Sequence, residues 1–363
     1  MGELDDLEFE KLIEELVSND NEVKAAAREK SQILDEPRFV ESWVNLLDHS
    51  DPSKRLLAAT HLANLGYTRA YKVLLDLAEK HNKKSAVVQL GEIKYQPALE
   101  SFIFMFLDKK RPNRVRAECA LALGKIGNEK ALEPLKQVLM DETEIRSDYD
   151  AIAVRDSAAL ALTNFNEEAL TILLTCLKTT DSWGKYYIAL ALGKMNDTIV
   201  VPEIIPLLKD EDHFYLRSAA ARVLGQLGDV RAIDYLYEAL LSEKDSYVHE
   251  IICLALGELG DSRVIEQLIT IMWHSRLDKR KNVKAAKLLG QFKYERIFEQ
   301  LIKALESPFG VIRVGAAEAL AQFGDKKALP TMELTLGNSI GVRGFDTKAA
   351  EAFKNALDQL RQY

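Results

Sequence analysis

The best candidates for catalysis or metal binding in this sequence are an adjacent histidine and glutamate, His249 and Glu250, in the stretch YVHEIICLALGELGD. An imidazole next to a carboxylate can supply two metal ligands, or a general base together with the group that orients it. The stretch also has the pattern of a helix start, so the pair can equally be structural. Which of these roles the pair has depends on the helices that position it.

The three cysteines, Cys119, Cys176 and Cys253, are the other candidates for reactive side chains. They lie in apolar segments of helical periodicity, are odd in number and form no CxxC motif. These features predict small core residues of a cytosolic protein and favour neither a disulfide framework nor a zinc site. The glycines fall at turns and form no phosphate-binding loop. We therefore expect no cofactor, and the sequence leans against an enzyme without deciding the question.

The Leu-Gly that follows His249 belongs to a repeat with a period of about 32 residues. The anchor of each copy, which is the glycine of Leu-Gly or its replacement, stands at Ala63, Gly91, Gly124, Thr163, Gly193, Gly225, Gly257, Gly290 and Ala321. Leucine precedes every anchor, and alanine is common four and five residues before it. Small side chains let two helices approach closely, while leucine fills the space between them.

Each copy has the pattern of a helical hairpin. A Gly-Asp or Gly-Asn pair follows the first helix in several copies, as at Gly228-Asp229, and glycine suits the left-handed residue that ends a helix. A second amphipathic segment follows, for example AIDYLYEALL or VIEQLITIM. We call the two segments helix A and helix B. One hairpin cannot bury its apolar face alone, so we expect the hairpins to stack.

The stretches RVRAECALALGKIGNEKALEPLKQVL and YLRSAAARVLGQLGDVRAIDYLYEALL resemble the short HEAT-like repeat of bacterial and archaeal proteins, the type also found in phycobilin lyases. The resemblance covers about residues 51–336. It implies an all-α fold, a right-handed α-α superhelix (solenoid) of about nine to ten helical hairpins with capping helices. Residues 1–363 are expected to form a single continuous α-solenoid, with acidic N-terminal capping helices in 1–50 and a C-terminal capping helix in 337–363. The resemblance indicates little about function, because such repeats serve scaffolds, adaptors and a few enzymes alike.

Comparison of the repeats shows that His249 occupies a position that is usually basic. The corresponding residues eight before each anchor are Arg55, Lys83, Arg116, Arg155, Lys185, Arg217, Asn282 and Arg313, and acids stand about four residues earlier at Asp51, Asp181, Asp212 and Asp245. We expect a solvated ladder of charges that caps helices and bridges neighbouring repeats. The HEAT-like deoxyhypusine hydroxylases draw metal ligands from several His-Glu pairs. This sequence has one such pair, so no metal site is expected.

The net charge of −8 resides in the first helix. Residues 1–22 contain nine acids and one base, and the remainder contains equal numbers of acids and bases. A nucleic-acid binder needs a basic surface, so we expect no nucleic-acid partner and do not favour a HEAT-like DNA glycosylase.

No apolar run reaches the length of a membrane span, and the N-terminus is acidic where a signal peptide is basic. A cytoplasmic location without membrane insertion is expected.

Several aromatic residues depart from the pattern of their repeats. Ten residues before the anchor, three successive repeats carry Trp183, Tyr215 and Tyr247, with Phe214 close by. Stacking would place them roughly 10 Å apart as a stripe along one edge. Aromatic residues are enriched at binding hot spots, but they also pack between repeats, and both interpretations stay open.

Two further aromatic residues stand at mostly polar positions of helix B, Phe104 and Trp273. Helix B is expected to line the concave face, so both are candidate exposed anchors, while Phe102 and Phe106 are expected in the core.

The 39-residue spacing between Gly124 and Thr163 is longer than the others and corresponds to an insertion of about seven residues. This insertion carries the acids Asp141, Glu142, Glu144, Asp148 and Asp150. It predicts either an acidic loop that contacts a basic partner or a tolerated surface insertion.

Taken together, these patterns favour a non-catalytic scaffold or adaptor that binds another protein through its concave face and its aromatic edge. The alternative is a phycobilin lyase, or a lyase-related chaperone, acting on a tetrapyrrole-bearing protein. A bilin-bearing partner is expected only under that alternative, which the repeat type alone implies.

Overall fold

In a computed structural model of the chain, the structure describes residues 2–30, 39–145, 149–274, 279–339 and 345–363. Their regular structure is helical, and no strand occurs within these ranges, so the predicted all-α solenoid class is confirmed. The α-helices are α1 (Gly2–Val17), α2 (Asn21–Lys30), α3 (Val40–Leu46), α4 (Pro52–Asn64), α5 (Thr68–His81), α6 (Lys84–Glu92), α7 (Leu99–Leu107), α8 (Asn113–Ile126), α9 (Leu132–Leu139), α10 (Tyr149–Leu162), α11 (Asn166–Thr179), α12 (Ser182–Met195), α13 (Val201–Ile204), α14 (Phe214–Leu227), α15 (Ile233–Ser242), α16 (Ser246–Glu258), α17 (Ile265–His274), α18 (Lys279–Leu289), α19 (Glu295–Ala304), α20 (Gly310–Phe323), α21 (Leu329–Gly337) and α22 (Thr347–Gln362).

The chain divides into two compact units, Met1–Ala191 and Leu192–Tyr363, which we call unit 1 and unit 2. In unit 1, the successive hairpins in chain order after α1–α3 are α4–α5, α6–α7, α8–α9 and α10–α11. In unit 2, the successive hairpins in chain order are α14–α15, α16–α17, α18–α19 and α20–α21. Helix α22 packs on α20. A single continuous domain over 1–363 stays a prediction.

The repeated Leu-Gly has a packing explanation. Every leucine that precedes an anchor is fully buried, namely Leu62, Leu90, Leu123, Leu162, Leu192, Leu224, Leu256, Leu289 and Leu320. Where the anchor is glycine, the next helix A lies against it. A Cβ atom on Gly124 would lie 2.8 Å from Ala161 Cα, and one on Gly290 would lie 2.6 Å from Ala319 O. The leucine therefore fills the core, and the glycine permits the close approach of consecutive A helices.

The predicted turn between helix A and helix B is also present. Gly228 ends α14 with a φ of 69°, in the left-handed region that favours glycine. Asp229 then accepts a hydrogen bond from the Arg231 backbone N–H at 2.9 Å and starts a 3₁₀ turn that leads into α15. Asp261 and Asp325 accept the equivalent bonds from Arg263 and Lys327, each at 2.9 Å. Several hairpins therefore share the same polar junction.

Helices are present in both regions where caps were expected, 1–50 and 337–363, and their role as caps stays a prediction. The region 1–50, where N-terminal capping helices were expected, contains α1, α2 and α3, and residues 31–38 lie outside the described residues. In this region the Phe9 ring lies 5.0 Å from the Trp43 ring, and Trp43 stacks on His61 of the first repeat at 4.5 Å. At the other end, the α22 residues Phe353, Leu357 and Leu360 are buried. No helix within the described ranges is both long and apolar enough to cross a membrane.

Candidate functional site

The basic position of helix A is buried in the middle of the chain, so the predicted solvated charge ladder is wrong there. The Arg116 and Arg155 side chains are 1% and 0% exposed. Arg116 Nε donates to Phe106 O at 2.8 Å, and Arg155 Nε donates to Leu139 O at 3.0 Å. These acceptors stand at the ends of α7 and α9, where helix carbonyls lack intrahelical partners and a cation interacts favourably with the helix dipole. The arginines therefore cap the preceding helix B.

Unit 2 uses the same position in the same way. Arg217 donates to Asp210 O at 2.9 Å, and Arg313 donates to Ser307 O at 2.6 Å. Asn282 replaces the cation and donates to Ile271 O and Met272 O at 2.9 and 3.0 Å. Glu243 completes the Arg217 site with a bidentate ion pair at 2.8 and 2.9 Å. The bridging of repeats that the sequence suggested is therefore present, but in a desolvated form.

The acids at the start of helix A cap it at three of the four predicted positions. Asp51, Asp181 and Asp245 accept from the backbone N–H groups of Ser53, Gly184 and Tyr247 at 2.8, 2.9 and 2.9 Å. At the fourth position, the prediction that Asp212 caps helix A is wrong. The α14 cap is the neighbouring His213, whose Nδ1 accepts from the Leu216 N–H at 3.1 Å.

The side chains of His249 and Glu250 contact different partners. His249 Nδ1 lies 3.8 Å from Cys253 Sγ within α16, whereas Glu250 Oε2 forms an ion pair with Lys281 Nζ of α18 at 2.7 Å. Both side chains line a cleft of about 540 Å³. Within the part of the chain that the structure describes, no three His, Cys, Asp or Glu side chains come together as a metal site would require. The observed contacts of the pair are interactions within and between repeats.

The three cysteines are buried and free, as the sequence predicted. Burial raises the pKa of Cys119 to about 12 and that of Cys253 to about 12, because the thiolate loses its hydration. The pKa of Cys176 is raised for the same reason. Thiols with such pKa values are protonated near neutral pH and are poor nucleophiles.

Trp183 lies in unit 1 at the start of α12 and is half-buried. Its ring contacts Tyr186 edge-on at 5.7 Å and stacks on Tyr187 at 6.2 Å. Tyr187 is buried, its hydroxyl oxygen finds no hydrogen-bond partner among the described residues, and burial raises its pKa. Trp183 therefore both packs within its repeat and offers part of its ring to solvent.

Tyr215 and Tyr247 occupy the equivalent positions of two packed helices in unit 2, α14 and α16. Tyr215 is 43% exposed, and its ring lies 4.0 Å from that of half-buried Phe214. Tyr247 is half-buried beneath Lys281 Nζ, which lies 4.0 Å from the ring centroid. Arg222 also reaches the Tyr247 hydroxyl at 3.5 Å. We call Phe214, Tyr215 and Tyr247 the aromatic column of unit 2.

The two aromatic candidates on helix B differ in their surroundings. Phe104 of α7 is 66% exposed, whereas Phe102 and Phe106 are fully buried, as predicted. Trp273 of α17 is half-buried, and its Nε1 donates to Gln300 Oε1 of α19 at 3.1 Å. Trp273 thus joins two neighbouring repeats of unit 2, and Phe104 is the more accessible of the two rings.

Part of the acidic insertion is folded rather than extended. Residues Glu142–Ile145, which include Glu144, form a 3₁₀ helix, and α10 begins at Tyr149 and includes Asp150. Asp141 pairs with Lys109 at 2.5 Å, and Glu142 is exposed. Partial burial acts to raise the pKa of Asp141, but hydrogen bonds from Lys109 and Thr143 lower it below its usual value. Asp148 lies outside the described residues.

One surface of unit 2 was missed by the sequence reasoning. A cleft of about 430 Å³ between α18, α20 and α22 has an apolar floor and a basic rim. The floor consists of Val283, Val311, Val314 and Ala349, and the rim contains Lys279, Arg280, Lys284, Lys287 and Glu318. We call it the valine cleft. The sequence feature that could have indicated this cleft is the segment KRKNVKAAKLL, which has five bases and no acid. Residues 23–363 as a whole carry equal numbers of acids and bases, and this balance concealed the local excess of bases.

Comparison with protein families gives a match to the model described as HEAT repeats. It matches residues 79–153, 173–257, 201–283 and 276–341, which is more than half of the chain. No curated protein sequence matches.

Solved structures with a similar fold include the karyopherin Kap121p bound to Pho4p, with 12% identity and a TM-score of 0.57 over 98% of this chain and 45% of that one. The Escherichia coli protein YibA has 17% identity and a TM-score of 0.51 over 76% of this chain and 96% of its own. CpcE and CpcF of phycocyanin lyase from Nostoc sp. PCC7120 have 21% identity and a TM-score of 0.43, over 72% and 94%. Such identities show the fold alone, and the last TM-score carries no functional argument.

Proposed function

Because the chain belongs to the HEAT-repeat family, we propose that it is a protein-binding scaffold or adaptor. The observation that carries this proposal is the aromatic column of unit 2, where Tyr215 is 43% exposed and its ring lies 4.0 Å from the Phe214 ring at a tilt of 33°. Tyrosine gives a large contact area and a polar hydroxyl at a low cost in side-chain entropy, and it is enriched at binding hot spots. A partner would cover the exposed part of these rings.

The surroundings of the column favour a stable, prearranged surface. Tyr215 and Tyr247 lie in the first turns of α14 and α16, and the first turns are fixed by caps from His213 and Asp245. Lys281 lies over the Tyr247 ring, and Arg222 donates to the Tyr247 hydroxyl at 3.5 Å. Rings that are already ordered lose little freedom when a partner binds, which leaves more of the contact energy for affinity.

Unit 1 offers a second set of candidate contacts, which we treat separately. Phe104 projects from helix B with 66% of its surface exposed, and Trp183 is half-buried at the start of a helix A. A single exposed ring is ordinary on a protein surface, so these residues support the proposal less strongly than the column does. Trp273 and Asp141 already have partners within the chain and would contribute mainly to the rim of an interface. Glu142 is exposed.

A similar helical solenoid is compatible with this role, since the structure of Kap121p was solved bound to Pho4p. The alternative of a phycobilin lyase, or of a related chaperone, rests on repeat type alone and stays untested. Both functions involve a protein partner, but only the lyase function would also require bilin transfer to an acceptor.

Affinity capture from the source cell tests the proposal, with the wild-type chain and a double variant, Phe214→Ala with Tyr215→Ala. A matched control is Tyr294→Ala in the same unit, because Tyr294 is 57% exposed and lies outside the column. We expect a discrete protein to be retained by the wild type and by the control. The double variant should bind it at least about tenfold more weakly, the loss of more than about 1.4 kcal/mol expected at a hot spot.

Two results would count against the proposal. One is equal retention of the partner by the double variant, with the melting temperature showing that all the proteins are folded. The other is the failure of the wild-type chain to retain any discrete protein. Absorbance of added bilin and its transfer to an acceptor protein would instead favour the lyase alternative.

A further inference from the structure

We infer that the valine cleft of unit 2 binds a segment of a partner protein in which an aspartate or glutamate stands beside a leucine, isoleucine or phenylalanine. This inference shares with the proposed function the premise that the partner is a protein. It concerns a different surface from the aromatic column, and it states the chemistry that the cleft would recognise.

The floor of the cleft is apolar because valine and alanine side chains line it, at a place where α18 and α20 approach closely. Gly315 of α20 faces Val283 of α18, and a Cβ atom on Gly315 would lie only 3.1 Å from Val283 Cγ1. Val311 and Val314 lie beside this contact, and Ala349 of α22 completes the floor. All four side chains of the floor are half-buried and retain surface open to the cleft. Covering that surface with one aliphatic or aromatic side chain would remove apolar area from water on both molecules.

The rim gives the cleft a positive charge in a chain whose net charge is −8. Four cations line it, Lys279, Arg280, Lys284 and Lys287. Lys284 pairs with Glu258 and Lys287 pairs with Glu318, each at 2.6 Å. Lys279 lies over the Phe309 ring, with Nζ 3.4 Å from its centroid. The charged residues that line the cleft are four cations and one carboxylate, Glu318. Carboxylates on the bound segment would therefore find complementary charge, which improves specificity and the rate of association.

The same features disfavour a nucleic acid as the occupant. A nucleic acid is held by many phosphate contacts along its backbone, and the four cations of one small cleft provide few of them. Bases need aromatic rings to stack on, whereas the floor consists of valine and alanine. An anionic membrane surface matches the charge but leaves a recessed floor unfilled. A short segment with a carboxylate beside an aliphatic or aromatic side chain satisfies both the rim and the floor.

Helix α18 connects the cleft to the aromatic column. Arg280 and Lys284 also line a second cleft, of about 330 Å³, together with Tyr247 and Arg222. Lys281, on the same helix, lies over the Tyr247 ring and pairs with Glu250. The valine cleft and Tyr247 therefore flank the same helix, and one extended partner could contact both.

Fluorescence anisotropy with short synthetic peptides tests the inference on the full chain. The probe is a labelled acetyl-GEDLEDG peptide, compared with acetyl-GEDGEDG, which lacks the leucine, and acetyl-GNQLNQG, which lacks the acids. We expect the first peptide to bind at least about tenfold more tightly than either of the others. Two variants should weaken it about tenfold: Lys279→Gln with Arg280→Gln, which removes rim charge, and Val311→Ser, which makes the floor polar.

The matched control is Lys326→Gln with Lys327→Gln, which removes the same charge from exposed positions of unit 2 outside the cleft. Binding should be unchanged in this control and in the Phe214→Ala with Tyr215→Ala variant, so the inference and the proposed function can fail independently. The inference is overturned if the probe does not bind at about 1 mM, or if the peptide without leucine binds equally well. It is also overturned if duplex DNA, anionic phosphatidylserine vesicles or a second copy of the chain occupies the cleft in preference to the probe.

Discussion

The guanidinium of Arg155 and the carboxylate of Asp181 form an ion pair, with Nη2 and Oδ1 2.6 Å apart, in which the aspartate side chain keeps 24% of its surface exposed. Arg155 is fully buried and also donates to Leu139 O, while Asp181 caps α12 through the Gly184 N–H. One pair thus connects the end of α9, the helix α10 and the start of α12 within unit 1. A Cβ atom on Gly184 would clash with Arg155 Nη2 and Thr180 Oγ1, which explains the glycine there.

Removal of Arg155 should destabilise the protein strongly. Arg155→Met would leave the carboxylate of Asp181 and the carbonyl of Leu139 without their cation, and breaking a buried pair costs about 3–5 kcal/mol. Urea unfolding followed by circular dichroism should show this loss. The control is Lys130→Met, which breaks the exposed Lys130–Glu100 pair and should cost less than about 1 kcal/mol. A similar midpoint for the two variants would show that the pair contributes little.

The same pair predicts a dependence of stability on acid pH. Partial burial acts to raise the pKa of Asp181, but hydrogen bonds from Arg155 and Gly184 lower it below the usual 3.8. Because the pKa of Asp181 is lower in the folded state, its carboxylate contributes its full stabilisation at pH values above the usual pKa. This stabilisation is lost as the pH falls through the pKa of the folded state. Asp181→Asn should therefore flatten the loss of stability below about pH 4, measured by urea unfolding at several pH values. An identical slope in the wild type and the variant would contradict this assignment.

The anchor glycines should not tolerate a methyl group. Gly290→Ala would place a Cβ atom 2.6 Å from Ala319 O, so α18 and α20 must move apart, at an expected cost of about 1–3 kcal/mol. Gly337→Ala is the control, because nothing lies within 4 Å of a Cβ atom there. Thermal unfolding should show a lower midpoint for the first variant only. Equal midpoints would indicate that the seam between the A helices adjusts without strain.

The buried thiols should be unreactive until the protein unfolds. With pKa values of about 12 for Cys119 and Cys253, almost no thiolate is present at about pH 8. A chromogenic disulfide reagent should therefore label native protein slowly and label all three cysteines quickly in denaturant. Rapid labelling of Cys119 in the native state, identified by peptide mass, would be incompatible with its burial.

Much of the fold could be predicted from the sequence because each repeat signals its own local structure. The alanines, the Leu-Gly anchor and the Gly-Asp turn act within one hairpin or between neighbours, so their spacing was sufficient. The burial of Arg155 could not be predicted in the same way. A charged residue in an amphipathic segment indicates solvent exposure until the preceding helix is known to end with its carbonyls beside it.

The surfaces were less predictable than the fold for a related reason. The valine cleft combines residues of three helices, and Val283, Val314 and Ala349 become neighbours only after stacking. Phe104 was identified because it interrupts a polar position, and it is exposed as that pattern indicated. The bond from Trp273 to Gln300 joins different repeats, and no local pattern indicated it.

Hydrogen–deuterium exchange of the chain with and without its captured partner tests the protein-binding role most directly. The proposal predicts slower exchange in the first turns of α14 and α16, around Tyr215 and Tyr247, when the partner is bound. The same slowing should be absent when the partner is mixed with the Phe214→Ala with Tyr215→Ala variant. Unchanged exchange in both helices of the wild-type chain, under conditions where the partner is bound, would contradict the account.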